Sequence, residues 1–236
     1  MIKIGIVIQC RDNASRYTHK SVRPFYEDKS ILQIIIERFK HLPYIIIVVT
    51  TEDSLETKKI CKELDVPCYH GHGDDVILKF LDAAYAHKLT GFFRVCADNP
   101  FVSLPLMYPL TTWGFHNDYI AYKDCMLRHE GLWMEYVKTS ALYKAMLATN
   151  LPYDIQNVTP FIYKNPWLFH VKILQIPQEI QDLKFRLTVD TESDFKIAQR
   201  VYKEVREQHW YNILDYLKKH PKLLKKMKKN IEENPK

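Results

Sequence analysis

Glycine is scarce, with six residues in 236 and none set out as G-x-G-x-x-G or as a Walker loop, which excludes a glycine-rich dinucleotide fingerprint. Long apolar runs are missing too. The longest, residues 2–8 and 44–49, fall far short of the roughly 20 residues that cross a bilayer. The N-terminus has neither the basic start nor the small-residue cleavage site of a signal peptide, so the sequence reads as cytoplasmic. The five cysteines (Cys10, Cys61, Cys68, Cys96 and Cys125) are scattered and form no C-x-x-C pair. That argues against a disulfide framework or a zinc site, and they read as reduced core thiols. No Gly/Ser-rich linker and no internal repeat divides the chain, and its length with 47% hydrophobic content fits one domain with a full core.

The net charge of +6 is modest. Much of it lies in residues 218–236, where Lys218, Lys219, Lys222, Lys225, Lys226, Lys228 and Lys229 crowd together. They read as the solvated face of a helix ending in a frayed tail; binding to a nucleic acid or an anionic membrane is the weaker alternative.

Buried-strand and helical patterns alternate along the first half. Residues 2–9, 44–51, 66–69 and 91–97 have the apolar continuity of strands covered on both faces, while residues 31–39, about 53–64 and 74–87 recur at helical spacing. Asp53 or Ser54 is the expected cap of the second helix. Such alternation predicts an α/β fold, a mostly parallel sheet with helices on both sides. Beyond Asp98 the rhythm changes: helices are expected over 105–115, 140–148 and 191–207, and strands over 118–122, 132–137 (one face polar) and 167–176. Thr191 with Asp194 has the form of a capping arrangement.

Ligands of open parallel sheets bind beyond the C-terminal strand ends, near a switch point in topology. After the first strand come Arg11, Arg16 and Lys20 in a loop entering a helix, a set able to surround a triphosphate with help from backbone N–H groups; ordinary surface cations would look the same. After the fourth strand, Asp98-Asn99-Pro100 puts a carboxylate at the sheet edge. A second apolar run, residues 185–189, ends in Asp190 just before a helix. Either aspartate can cap a helix, and the two can also share one hard cation, since Mg2+ is commonly held by one or two carboxylates with phosphate oxygens and waters.

Residues 11–20, Asp98-Asn99-Pro100 and residues 187–194, in this order and spacing, resemble the CMP-sugar synthetase (cytidylyltransferase) family, and most closely its spore-coat polysaccharide branch. Residues 31–38, 73–80, Gly131 to Glu135 and Val158-Thr159-Pro160 agree with it, so the similarity covers roughly residues 1–205. It implies a Rossmann-like sheet of the nucleotide-diphospho-sugar transferase type in residues 1–217, Mg2+ as cofactor, and transfer of CMP from CTP to an acidic sugar or related acceptor in surface glycan synthesis. It also implies a homodimer, with residues 119–137 as a dimerisation or acceptor insertion. By resemblance, Gln9, Arg11, Asn13, Ser15, Arg16, Lys20, Asp75 and Asp98 bind the nucleotide, with Arg11 and Lys20 on the β- and γ-phosphates. Asp98 and Asp190 hold the metal, and Glu135, Gln156 and Asn157 line the acceptor pocket. Arg11, Lys20 and Asp190 are the expected catalytic residues. Asp190 or a metal-bound hydroxyl takes the acceptor proton, two alternatives the sequence leaves open.

Three departures stand out. Asn13 replaces a family glycine early in the loop, and Thr18-His19 replaces Pro-Gly before the lysine. Asn13 is expected to keep a positive φ, whereas His19 is not an obvious substitute. Ile155-Gln156-Asn157 also replaces an Arg-Glu-His segment, which points to a different acceptor or a weakened activity. A nucleotide-binding pseudoenzyme of the same fold and a transferase using another nucleoside triphosphate are the competing readings.

Overall fold

The computed structural model describes residues 2–13, 16–113, 116–125, 128–205 and 209–234. A seven-stranded sheet runs through it in the order β5-β4-β1-β6-β8-β7-β9. Strands β1 (Ile4–Gln9), β4 (Ile45–Val49), β5 (Cys68–Tyr69) and β6 (Gly91–Cys96) are parallel neighbours, and the Ile, Val and Phe content of β1, β4 and β6 suits strands covered on both faces. From β1 the chain moves outward to β4 and β5, then returns on the other side of β1 to form β6. The resulting switch point lies between β1 and β6, with Gln9 level with Cys96 at their C-terminal ends.

Helices α1 (Ile31–Phe39), α2 (Leu55–Glu63) and α3 (Val76–Ala86) connect these strands. The first begins at a full capping box, Ser30 with Gln33. A short hairpin that the apolar pattern did not reveal, β2 (Pro24–Tyr26) with β3 (Lys29–Ser30), precedes it.

In the second half, α4 (Leu104–Trp113) leads to β7 (Tyr119–Tyr122), and β8 (Glu135–Lys138) is antiparallel to both β6 and β7. The strand expected over 132–137 thus begins at Glu135, and its expected polar face is buried: Glu135, Tyr136 and Val137 are all interior. Within residues 119–137, β7 and the start of β8 lie inside the sheet, and among the described residues of that segment only Lys123 and Asp124 are exposed. The edge is β9 (Val171–Leu174), parallel to β7.

Helices α5 (Thr139–Ala148), α6 (Pro152–Asn157), α7 (Pro160–Lys164) and α8 (Gln178–Gln181) fill the connections. Helix α9 (Glu192–Glu204) starts at the Thr191–Asp194 capping box. The lysine-rich end forms α10 (Trp210–Lys218) and α11 (Pro221–Glu233). Leu223, Met227 and Asn230 lie on one stripe of α11 and are buried against α9 and α10, whereas Lys222, Lys225, Lys226, Lys228 and Lys229 face solvent. Among the described residues, no helix is long and apolar enough to cross a membrane.

Candidate active site

A cleft of about 530 Å³ opens over the C-terminal ends of β1, β4 and β6, and its lining includes Gln9, Arg11, Arg16, Lys20, Asp98 and Asp190. Its nearest wall is the loop after β1, and the anchor of that loop is Asp12. The Asp12 carboxylate is buried and accepts from the backbone N–H groups of Glu56 (2.8 Å) and Thr57 (3.1 Å) and from the Thr57 hydroxyl (2.6 Å), while its own N–H donates to Ser54 Oγ. The start of α2 is therefore capped from a distant loop. Ser54 occupies the N-cap position without a side-chain cap bond, and Asp53 receives Asn13 Nδ2 at 2.7 Å.

The loop's positive φ among the described residues falls at His19 (φ 56°) rather than at Asn13. The His19 carbonyl accepts from Val22 and Arg23, and its N–H donates to the Asp12 carbonyl at 2.7 Å. A histidine thus adopts the left-handed conformation ordinarily left to glycine or asparagine, and Lys20 is still delivered to the interior. Asn13 is exposed and outside the cleft lining. Ser15 lies outside the described residues.

Lys20 is where distant parts of the chain meet. Its ammonium lies 3.4 Å from Asp98 Oδ2 and 3.0 Å from Asp190 Oδ1, and it also donates to the Val189 carbonyl. Burial pulls its pKa down, but the charges of Asp98 and Asp190 outweigh that and hold it above the ordinary lysine range. Arg16 stands 3.7 Å from Asp190 Oδ2. The two carboxylates are aligned by a main-chain bond from Val189 N–H to the Asp98 carbonyl (2.9 Å), and the neighbouring N–H groups of Leu187 and Thr188 donate to the His129 carbonyl. This threading requires Gly131: its φ is 67°, and a Cβ there would sit 2.7 Å from the Thr188 nitrogen.

Asp98 Oδ1 is buried and accepts no hydrogen bond. Two carboxylates with one free buried oxygen form a donor set that suits a hard cation completed by phosphate oxygens. Among the described residues, no three His, Cys, Asp or Glu side chains cluster as ligands, so an all-protein cage is not offered.

Farther along the cleft, Glu135 lies opposite Arg94 in the β6–β8 register. Its carboxylate receives Arg94 Nη1 (2.8 Å), the Tyr119 hydroxyl and the Thr159 hydroxyl (3.1 Å), and Arg94 Nη2 reaches Gln9 Oε1 at 2.9 Å. Glu135 is thus a wall residue that orients its donors, with both oxygens already engaged. Burial would lower the Arg94 pKa, but the ionisable groups around it, Cys96 and Glu135 foremost, raise it instead, so the guanidinium stays charged. Thr159 is aimed by a γ-turn centred on Val158 (φ 74°, ψ −55°), closed by Thr159 N–H to the Asn157 carbonyl. Gln156 is exposed at the rim, and Asn157 donates to the Tyr153 carbonyl at 2.8 Å.

Asp75 caps α3 by accepting from Leu78 N–H, and its neighbours Asp74 and Val76 line the cleft in its place. Lys79, which sequence reasoning passed over, is buried on α3, lines the cleft and donates to the Gly73 carbonyl at 2.6 Å. Burial lowers its pKa, Asp74 and Asp75 oppose that shift, and Arg11 adds to it. A signal was present in the sequence: a lone lysine on the apolar face of Ile77, Phe80 and Leu81. The same holds for Arg186, a cation inside the apolar run ending at Asp190.

No family model matches the chain. It is 32% identical to an uncharacterized protein of Methanocaldococcus jannaschii over 99% of this chain and 96% of that protein. It is 25% identical to the spore coat polysaccharide biosynthesis protein SpsF of Bacillus subtilis, over 88% of this chain and 90% of that one. The solved structure of a cytidylyltransferase from Leptospira borgpetersenii superposes with a TM-score of 0.84 at 26% identity, covering 95% of this chain and 97% of that chain. With sequence relatives, overall fold and motif order in agreement, the chain belongs to the cytidylyltransferase family of CMP-sugar synthetases, in the branch that includes the spore-coat polysaccharide protein.

Proposed function

We propose that the protein transfers CMP from CTP to a hydroxyl of an acidic sugar or related acceptor, releasing pyrophosphate, with Mg2+ as cofactor. The observation that carries this reading is the convergence of Asp98 and Asp190 on the Lys20 ammonium at the sheet's switch point. In the reaction the acceptor oxygen attacks the α-phosphorus in line, and the bond from that phosphorus to the bridging oxygen breaks. Arg11 and Arg16, exposed at the mouth, and Lys20, buried below them, supply cations along the departing phosphates, where positioning and charge neutralisation provide most of the rate. Asp98 and Asp190 would hold Mg2+, which when bound offsets phosphate charge. The acceptor end combines the rings of Trp133 and Tyr153, the amides of Gln156 and Asn157 and the Arg128 cation, a set suited to a polyhydroxylated molecule bearing a negative group.

The test is pyrophosphate release with each of the four nucleoside triphosphates and Mg2+, against a panel of sugar acids and phosphorylated sugars and polyols. CTP should be preferred by a wide margin with at least one acid acceptor. CTP binding without release across the panel would favour a pseudoenzyme, and equal use of all four nucleotides would refute the cytidylyl assignment. A homodimer belongs to the same reading and is measured by sedimentation equilibrium.

A further inference from the structure

The lysine-rich C-terminal helix reaches the active site through polar contacts that its sequence does not advertise. Arg186 is fully buried near the start of the run leading to Asp190. Its Nη2 donates to Asp190 Oδ2 at 2.7 Å, and its Nε stands 3.1 Å from Asp194 Oδ2. The other side of the same guanidinium is held by the carbonyl of Asn234, just past α11, at 2.8 Å and by His129 Nδ1 at 2.9 Å. Asp194 is held in turn: its Oδ1 accepts from Asn230 Nδ2 of α11 at 2.8 Å, and its Oδ2 accepts from the N–H groups of Asp190 and Thr191. Asn230 also bonds Ser193.

Of these groups, only Asp190 lines the cleft. The rest form a rigid fork behind it. A guanidinium is a planar donor with fixed angles, so the direction of Asp190 Oδ2 depends on where the opposite edge of Arg186 is held.

We propose that α11 is a positioning element of the active site, fixing Arg186 through the Asn234 carbonyl and Asp194 through Asn230, and by both routes setting the orientation of the Asp190 carboxylate. This rests on the transferase reading above, and the experiment separates the two. Arg186→Lys keeps the charge and loses the fork; Asn230→Leu keeps the volume and loses the donor. In the full-length protein, Arg186→Lys should lower kcat about 100-fold and Asn230→Leu about 10-fold, with KM for the nucleotide within about 3-fold of the parent, as expected of misplacement without loss of binding groups. Because both act through Asp190, the double variant should be no slower than Arg186→Lys by more than about 3-fold.

Amide hydrogen exchange supplies a readout that needs no turnover. The amides of residues 187–191 should exchange at least about 10-fold faster in both variants, while those of β1 and β6 stay as in the parent. Additive losses with exchange raised throughout the sheet would make the contacts merely structural and overturn the proposal. So would a folded Asn230→Leu protein with parental kcat and parental exchange. Should Arg186→Lys fail to fold, Asn230→Leu decides. Should the parent turn over no nucleotide, the transferase reading falls, and exchange still decides the positioning claim.

Discussion

Replacing Asp12 with alanine should destabilise the protein far more than an exposed-loop substitution. The carboxylate takes up two orphan N–H groups at the start of α2 and one buried hydroxyl. Removing it leaves the Thr57 N–H, on a fully buried residue, with no partner, at about 1–3 kcal/mol. The Glu56 N–H belongs to an exposed residue and recovers part of its bond from water. The Thr57 hydroxyl can turn toward Cys10 Sγ, 3.4 Å away. With the loss of a negative charge at a helix N-terminus, worth about 0.3–1 kcal/mol, the sum is roughly 3 kcal/mol.

For a domain of this size that is a fall in Tm of about 6–12 °C. Asp12→Asn keeps one acceptor oxygen and should lose about half as much. Urea titration and calorimetry on the parent and both variants give the numbers, and a Tm for Asp12→Ala within about 2 °C of the parent would refute the capping argument. The functional consequence is separate: the loop carrying Arg11, Arg16 and Lys20 loses its anchor, so nucleotide affinity should fall even at temperatures where the variant is fully folded.

Gly131→Ala meets both a positive φ and a backbone atom at 2.7 Å, and should cost roughly 2–4 kcal/mol by urea unfolding; a loss under about 1 kcal/mol would mean the 187–189 segment yields easily. Lys20→Met removes the cation shared by Asp98 and Asp190, and should weaken nucleotide binding by about 2 kcal/mol, or roughly 30-fold by calorimetry; unchanged affinity would place the phosphates elsewhere. Burial pushes the Cys10 thiol up to about 12, above the roughly 8.5 of an unfolded chain. The folded state then holds a proton that the unfolded state releases, so this group's contribution is complete below about pH 8.5 and declines as pH rises toward 12, by up to about 1.4 kcal/mol per pH unit. Cys10→Ala should therefore show a shallower fall in stability between pH 9 and 11, and parallel curves would exclude an interior thiol.

Much of this architecture was legible because local and tertiary signals agreed. Helix α9 was readable from Thr191 and Asp194, whose box is made within four residues, and the parallel strands from runs in which apolar residues dominate. The failures have a common cause, which is that their partners lie far away in sequence. Glu135 made β8 look half-polar, yet its counterion Arg94 is 41 residues away. The cap of α2 is 44 residues upstream of Glu56. The solvated lysine face of α11 was legible, but its tie to the site was not, because Asn230, the residue that bonds Asp194, is unremarkable in any local pattern.

The aspartates show why spacing alone could not separate cap from ligand, and what does. Asp12, Asp75 and Asp194 each follow or precede an apolar run and each face N–H donors: two at the start of α2 with the Thr57 hydroxyl beside them, one from Leu78, and the pair from Asp190 and Thr191. Drawing such a carboxylate toward a cation would strip donors from a helix end, and for Asp12 it would leave the buried Thr57 amide unpaired. Asp98 and Asp190 are different, because both face cations: Lys20 for both, with Arg16 and Arg186 for Asp190. One buried Asp98 oxygen accepts nothing. Exchanging Lys20 for a divalent cation, or adding one beside it, breaks no helix cap. The carboxylates left available to a cation are thus the ones the fold does not use to end a helix, and that distinction rests on donors contributed by segments tens of residues away.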